Sequence, residues 1–161
     1  MQFPLEHPEL AVWYYVLVVL SCVLNGQAIL AASGAEVRVS VIGIDQARGT
    51  LYTSLCTERE FMTPLCAQQK AIAIRDAVTT RMVIFREVPA GRYAIQVIHD
   101  LNDDRIIQTD AYGAPVEPVG TSNNSRPLDR AATFEESAFF MTGDCIELEV
   151  QLRKYGGNAT N

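Results

Sequence analysis

The most regular feature of the sequence is an alternation of apolar and polar residues in short segments after residue 35. In residues 36–44 a valine stands at every second position from Val37 to Val41, and residues 146–153 alternate aliphatic with charged or amide side chains. This period of two is typical of strands with one buried face. Segments of the same kind, separated by turn-forming residues, predict seven strands at residues 36–44, 50–55, 70–74, 81–87, 92–99, 136–141 and 146–153.

Seven short strands with almost no helical periodicity predict an all-β domain over residues 34–155, folded as an antiparallel seven-stranded β-sandwich. No tryptophan follows Trp13, and no cysteine pair brackets the predicted core. An immunoglobulin-like (Ig-like) sandwich of the antibody type is therefore disfavoured, and a transthyretin (prealbumin)-like or carboxypeptidase-regulatory-like arrangement is the better match. Residues 156–161, GGNATN, are predicted to be a flexible tail.

The N-terminal segment predicts export. Residues 11–24 form an apolar run, which predicts a hydrophobic helix, and small residues follow after a break at Asn25 and Gly26. This pattern resembles a secretory signal peptide spanning residues 1–33. Because no Lys or Arg precedes the run, the alternative is a retained inner-membrane anchor at residues 11–32. Either interpretation places the rest of the chain in the periplasm or outside the cell.

Export changes the interpretation of the cysteines. Cys56 and Cys66 enclose a short polar loop, and in an oxidising compartment a disulfide between them is the simplest pairing. Two cysteines without a nearby His form an incomplete zinc set. Cys145 begins a predicted strand and is expected to be a buried free thiol.

The overall charge argues against nucleic acid as a partner. The chain has 13 basic and 19 acidic residues, a formal net charge of −6, and no basic cluster. Phosphate binding requires a concentrated basic surface. Contact with a membrane is expected only through the N-terminal segment, if that segment is retained.

Several motifs, in a fixed order, carry a resemblance to a known family. The matching positions are Pro89, Gly91, Tyr93 and Ala94, then His99, Asp100 and Asn102, then Gly113, Pro115, Glu117, Gly120, Ser122, Asn123 and Asn124, and finally Phe134, Ala138 and Phe139. In these motifs the chain resembles the exported bacterial family known as domain of unknown function 2141. The resemblance implies an exported β-sandwich of unknown activity. The family usually has Asn and Gly where this chain has Asp104 and Arg105, so any cation site in the family's loop would be altered here.

The polar segment at residues 99–124 contains half of a calcium-loop pattern. Asp100, Asn102 and Asp104 alternate as the first ligands of such a loop do. The sixth position, which requires Gly, is Arg105, and the twelfth, which requires an acidic residue, is Ala111. The competing interpretation is a series of turns in which Asp and Asn side chains bind nearby backbone amides.

His99 offers a weak signal for catalysis. It continues the Tyr93 face of its strand and is expected at the rim of the core, whereas Asp100 points to the opposite face and cannot orient it. No nucleophile elbow surrounds Ser122. A small hydrolase centred on His99 is therefore the least favoured hypothesis, and we expect no catalytic activity.

The favoured hypothesis is a non-catalytic binding or structural module of the cell envelope. A long connection that is ordered is usually functional, so the segment at residues 99–124 is expected to form a recognition surface for an envelope ligand, glycan or protein. The alternative is a calcium-stabilised module with the ion at Asp100, Asn102 and Asp104, and no other cofactor is expected. The candidate surface residues are His99, Asp100, Asn102, Asp104, Glu117, Ser122, Asn123 and Asn124.

Overall fold

The computed structural model describes residues 35–111, 114–125, 127 and 130–155. The predicted signal peptide or anchor and the predicted tail both lie outside these residues. The described part is an all-β structure with two sheets, which confirms the predicted fold class. None of its helices has the length and hydrophobicity needed to cross a membrane.

The described residues contain eight strands, one turn of α-helix and one 3-10 turn. The helical turn α1 spans Phe134–Ser137, and the 3-10 turn spans Ser122–Asn124. The strands are β1 Glu36–Ile42, β2 Thr50–Cys56, β3 Gln68–Ala73, β4 Thr80–Phe85, β5 Gly91–Asp100, β6 Val119–Thr121, β7 Phe139–Met141 and β8 Cys145–Gln151.

One sheet has the order β4-β1-β8 and the other has the order β3-β2-β5-β6, with β7 also paired to β5. The expectation of a wholly antiparallel sandwich is wrong, because β1 and β8 pair in parallel. The chain builds the whole second sheet between these two strands, and a long crossover connection allows parallel pairing. Alternation along a strand indicates which face is buried but not the direction of its neighbour.

The expected number of seven strands is also wrong. β6 is only three residues long and lies within the polar segment, so no alternation reveals it. The strand predicted at residues 136–141 begins only at Phe139, because the preceding residues form α1. Thr133 and Glu136 make a reciprocal capping box at the start of α1. The spacing of these two residues is a helix-start signal that the alternation analysis missed.

Both sheets contribute to a single core. Val37, Val39 and Val41 of β1 are fully buried, and Ile95 and Val97 of β5 are buried with them. The alternation predicted for β1 and β5 is therefore the alternation observed. The face of β5 that points away from this core can therefore carry the side chains of a binding site.

The disulfide prediction is confirmed. Cys56, the last residue of β2, is bonded to Cys66, and their Cα atoms are 4.7 Å apart. The expectation of a buried Cys145 is wrong, since this residue is exposed and unpaired within the described part of the chain. Cys145 stands on the same outward side of β8 as Glu147 and Glu149, so its position in the alternation, not its residue type, decides its exposure.

Candidate functional site

The described residues of the polar segment, 99–111 and 114–124, run from the end of β5 through β6, and the connection between these two strands folds back on itself. The amide of Val116 donates to the carbonyl of Gln108 at 2.9 Å, and the amide of Asp110 donates to that of Ala114 at 2.8 Å. At its base, the amide of His99 donates to the carbonyl of Pro118 at 2.9 Å. Both ends of the segment are thus fixed against the five-stranded sheet.

Asn102 and Asp104 use their polar atoms within the segment. The Asn102 Oδ1 accepts from the Asp104 amide at 3.2 Å, and its Nδ2 donates to Asp104 Oδ2 at 2.7 Å. Asp104 Oδ1 accepts from the Ile106 amide at 2.7 Å, which together with the amide side chains of Asn102 and Gln108 lowers the pKa of Asp104. These contacts are those of the turn interpretation. Within the described residues, no three His, Cys, Asp or Glu side chains are grouped to hold a metal ion.

Two residues in the first half of this segment have left-handed backbone angles, as do Asn123 and Asn124 at its end. Asp103 has φ 59° and Arg105 has φ 61°. Asp103 is tied to β2 through its Oδ1, which accepts from the Thr50 hydroxyl at 2.6 Å. Arg105 occupies the position where the family resemblance implies Gly, the residue that takes such angles most easily.

His99 and Asp100 lie on opposite faces of β5, as predicted. The His99 ring is fully buried on the core side, deeper than the expected rim position, and its Nε2 lies 2.8 Å from the carbonyl oxygen of Arg48. Since a carbonyl only accepts, Nε2 carries a proton. This close approach of two chain segments also explains Gly49, which has φ 78° and whose hypothetical Cβ would lie 2.0 Å from the Asp100 carbonyl oxygen.

Asp100 and Glu117 are two buried carboxylates, only 2% and 6% exposed. One oxygen of each accepts a backbone amide: Asp100 Oδ2 from Arg105 at 2.9 Å and Glu117 Oε1 from Leu101 at 2.7 Å. The other oxygens, Asp100 Oδ1 and Glu117 Oε2, are buried and accept no hydrogen bond from the described residues. Burial, with the nearby charges of Asp100 and Asp104, raises the pKa of Glu117 although the Leu101 amide opposes this.

The three predicted residues at the end of the segment join β6 to neighbouring elements. Ser122 is fully buried, accepts from the Ile95 amide at 2.9 Å and donates to the Ser137 carbonyl. Asn123 donates to the Ala138 carbonyl at 3.0 Å, and Asn124 accepts from the Gln151 amide at 2.7 Å. Asn123 and Asn124 have φ 61° and 53°, so the left-handed turn that suits Asn is present.

A groove of about 890 Å³ lies between the polar segment and the outer face of the five-stranded sheet. Its lining includes Tyr52, Gln96 and Ile98 from β2 and β5, together with Ile106, Ile107, Asp100 and Glu117. Ile106 is 63% exposed and Ile107 is 52% exposed. The groove brings Asp100 and Glu117 together with apolar side chains, and Asn124 also lines it.

Sequence reasoning missed the residues contributed by the strands to this groove. A signal was present in β5, where Ala94 and Ile98 are apolar on the face opposite the core. A strand with apolar side chains on both faces is typically packed against other parts of the protein on both faces. Of the eight predicted surface residues, Asp100, Glu117 and Asn124 line the groove, and the other five do not: His99, Asn102, Asp104, Ser122 and Asn123.

The fold and groove define a class of protein: an all-β domain with a concave, largely apolar cavity carrying a few polar groups. The chain belongs to the family described as Uncharacterized protein conserved in bacteria (DUF2141), whose family model matches residues 39–148. The resemblance predicted from the sequence motifs is thereby confirmed. A search of curated proteins and a search of solved structures each found no match.

Proposed function

We propose that this protein is an exported, non-catalytic binding module of the bacterial cell envelope, and that its groove binds a small ligand with an apolar part. The observation that carries the proposal is the groove of about 890 Å³ between the ordered polar segment and the sheet. Small-molecule sites are typically concave, mostly apolar and provided with a few polar groups that orient the ligand. The lining surface of this groove is mostly apolar, and its charged lining residues are Asp100, Glu117, Arg105, Arg130 and Arg153.

Exposed apolar side chains on the polar segment support binding. Ile106 and Ile107 are both more than half exposed, yet they lie in a segment whose backbone is held by hydrogen bonds. Leaving two isoleucines in contact with water is unfavourable compared with burying them. A ligand that fills the groove would remove part of this apolar surface from water.

Two features support export. The disulfide between Cys56 and Cys66 is of a kind that persists in oxidising compartments. The apolar run at residues 11–24 has the length of a secretory hydrophobic segment and is followed by small residues. Periplasmic or secreted location, with an anchor at residues 11–32 as the alternative, is part of the proposal.

The absence of catalysis is also proposed, and two contacts support it. The protonated Nε2 of His99 is directed at the Arg48 carbonyl within the interior. The hydroxyl of Ser122 is occupied by two buried backbone groups. A base and a nucleophile in these positions would have no common space for a substrate.

The proposal can be tested by ligand-observed NMR with a library of small apolar fragments and the purified full chain. Ile98→Trp places a larger side chain in the groove, and the matched control Leu65→Trp adds the same ring at a site that is 77% exposed and outside the groove. We expect fragments that bind the wild type and Leu65→Trp but lose binding to Ile98→Trp. Absence of fragment binding, or equal binding to all three proteins, would contradict the proposal.

The second candidate is a calcium-stabilised module with the ion at Asp100, Asn102 and Asp104. The observation that favours it is the buried Asp100 Oδ1, which has no hydrogen-bond partner in the described part of the chain. Binding of calcium to the folded state would raise the melting temperature. A calcium titration into the millimolar range without such a rise rules this candidate out.

A further inference from the structure

We propose that Asp100 and Glu117 form the anionic end of the groove and bind the cationic nitrogen group of an organic ligand, an ammonium, amidinium or guanidinium, whose apolar body lies against Ile98, Ile106 and Ile107. This inference rests on the proposed binding function and specifies the class of ligand. It predicts an amphipathic cation rather than a neutral or anionic molecule.

The hydrogen bonding of the two carboxylates is incomplete within the described residues. Asp100 and Glu117 are both more than nine-tenths buried, and each has one oxygen satisfied by a backbone amide and one oxygen without a partner. A buried carboxylate oxygen without a hydrogen-bond donor is unfavourable. Two such oxygens on neighbouring side chains that line one groove are a site for a donor supplied by a ligand.

Neither carboxylate is engaged in an ion pair of the described residues, although three arginines also line the groove: Arg105, Arg130 and Arg153. Burial, and then the neighbouring charges of Asp100 and Asp104, raise the pKa of Glu117, while the Leu101 amide and His99 act in the opposite direction. A cation placed between the free oxygens would supply both the charge and the donors, and charge-assisted hydrogen bonds are the stronger kind.

Backbone hydrogen bonds fix the positions of both carboxylates. The amides of Arg105 and Leu101 hold one oxygen of each carboxylate, so the free oxygens do not need to be ordered when a ligand binds. Preorganisation of this kind reduces the entropic cost of binding. The apolar side chains beside the pair favour an organic cation over a bare metal ion, which would need more oxygen ligands.

The test compares benzamidine, a planar aromatic cation, with benzamide, its neutral counterpart of nearly the same shape, by titration calorimetry or NMR with the full chain. The variants are Asp100→Asn and Glu117→Gln, each of which retains an oxygen for its backbone amide. The control is Asp45→Asn, an exposed carboxylate outside the groove. Circular dichroism and melting temperature verify that each variant is folded.

We expect benzamidine to bind the wild type and Asp45→Asn at least about tenfold more tightly than benzamide, and this preference to fall below about twofold in Glu117→Gln and Asp100→Asn. Equal binding of both probes to the wild type would overturn the inference while leaving the groove proposal intact. If neither probe and no apolar fragment binds, both this inference and the groove proposal are overturned. A preference that survives in both groove variants would overturn the assignment to this pair, as would stabilisation by calcium chloride without any by benzamidine.

Discussion

The most informative stability prediction concerns Ser122, because its side chain continues the hydrogen bonding of the sheet where backbone partners are missing. On one edge of β5, β7 pairs with residues 91–93 and β6 with residues 96–98, which leaves Ile95 in the gap. The Ser122 hydroxyl accepts from the Ile95 amide and donates to the Ser137 carbonyl. One side chain thus joins β5, the end of β6 and α1.

Replacing Ser122 with Ala would leave two buried backbone groups without partners. Each unsatisfied group costs about 1–3 kcal/mol, and a carbonyl is at the lower end, so we expect a loss of about 2–4 kcal/mol in the free energy of unfolding. For a domain of this size, the melting temperature should fall by about 10 °C. The matched control is Ser125→Ala, which should change the stability by less than about 0.5 kcal/mol.

Urea unfolding followed by circular dichroism measures both variants against the wild type. If Ser122→Ala were as stable as Ser125→Ala, the proposed bridging role of Ser122 and the docking of the polar segment through it would both be refuted. A nucleophilic Ser122, by contrast, could be replaced with little loss of stability.

Three further predictions concern the disulfide, the buried carboxylates and the turns. Replacing Cys56 and Cys66 together with Ser should lower the free energy of unfolding by about 3 kcal/mol in the chain-entropy model, and unchanged urea unfolding would contradict this. The difference in stability between Glu117→Gln and the wild type should depend on pH. Because the pKa of Glu117 in the folded protein is raised above 4.5, the Glu117 side chain of the wild type binds its proton more tightly in the folded state than in the unfolded state. The wild type therefore loses stability relative to the variant as the pH rises from 4.5 through the pKa of Glu117 in the folded protein. Melting curves that differ equally at low and neutral pH would refute the raised pKa of Glu117. Gly49→Ala should destabilise strongly, since the added Cβ would lie 2.0 Å from a carbonyl oxygen at φ 78°. In the control Gly143→Ala the added Cβ would meet no atom within 4 Å, so this variant should unfold at the same temperature as the wild type in the same thermal melt.

The elements that could be predicted from the sequence are those with a long period-two pattern. β1 buries every second side chain in the core and β8 packs Ile146, Leu148 and Val150 against the same core, an arrangement that hydrophobic burial alone specifies. β6 could not be predicted because three residues are too few for a pattern, and its pairing depends on the return of the polar segment to β5. The parallel pairing of β1 with β8 depends on the path of the whole chain.

The candidate site could be predicted only in part, for a similar reason. The sequence indicated Asp100 and Glu117 as members of a functional segment, but they are 17 positions apart. The pairing of β5 with β6 and the hydrogen bond from His99 to Pro118 bring them together. Gly120 matches the family motif, and the reason for Gly at this position is one of space: a Cβ there would lie 2.7 Å from the Gln151 carbonyl oxygen. Contacts between distant segments set both features, and local pattern does not record such contacts.

The most direct test of the proposed function is to map where a bound fragment contacts the protein, by titrating the best fragment into isotope-labelled full chain and following the backbone amide signals. We predict that the largest changes in amide chemical shift occur at four residues that line the groove: Ile98 on the sheet, Ile106, Ile107 and Glu117. Shifts confined to other surfaces, or none at a fragment concentration that saturates binding, would contradict the claim that this groove is the binding site.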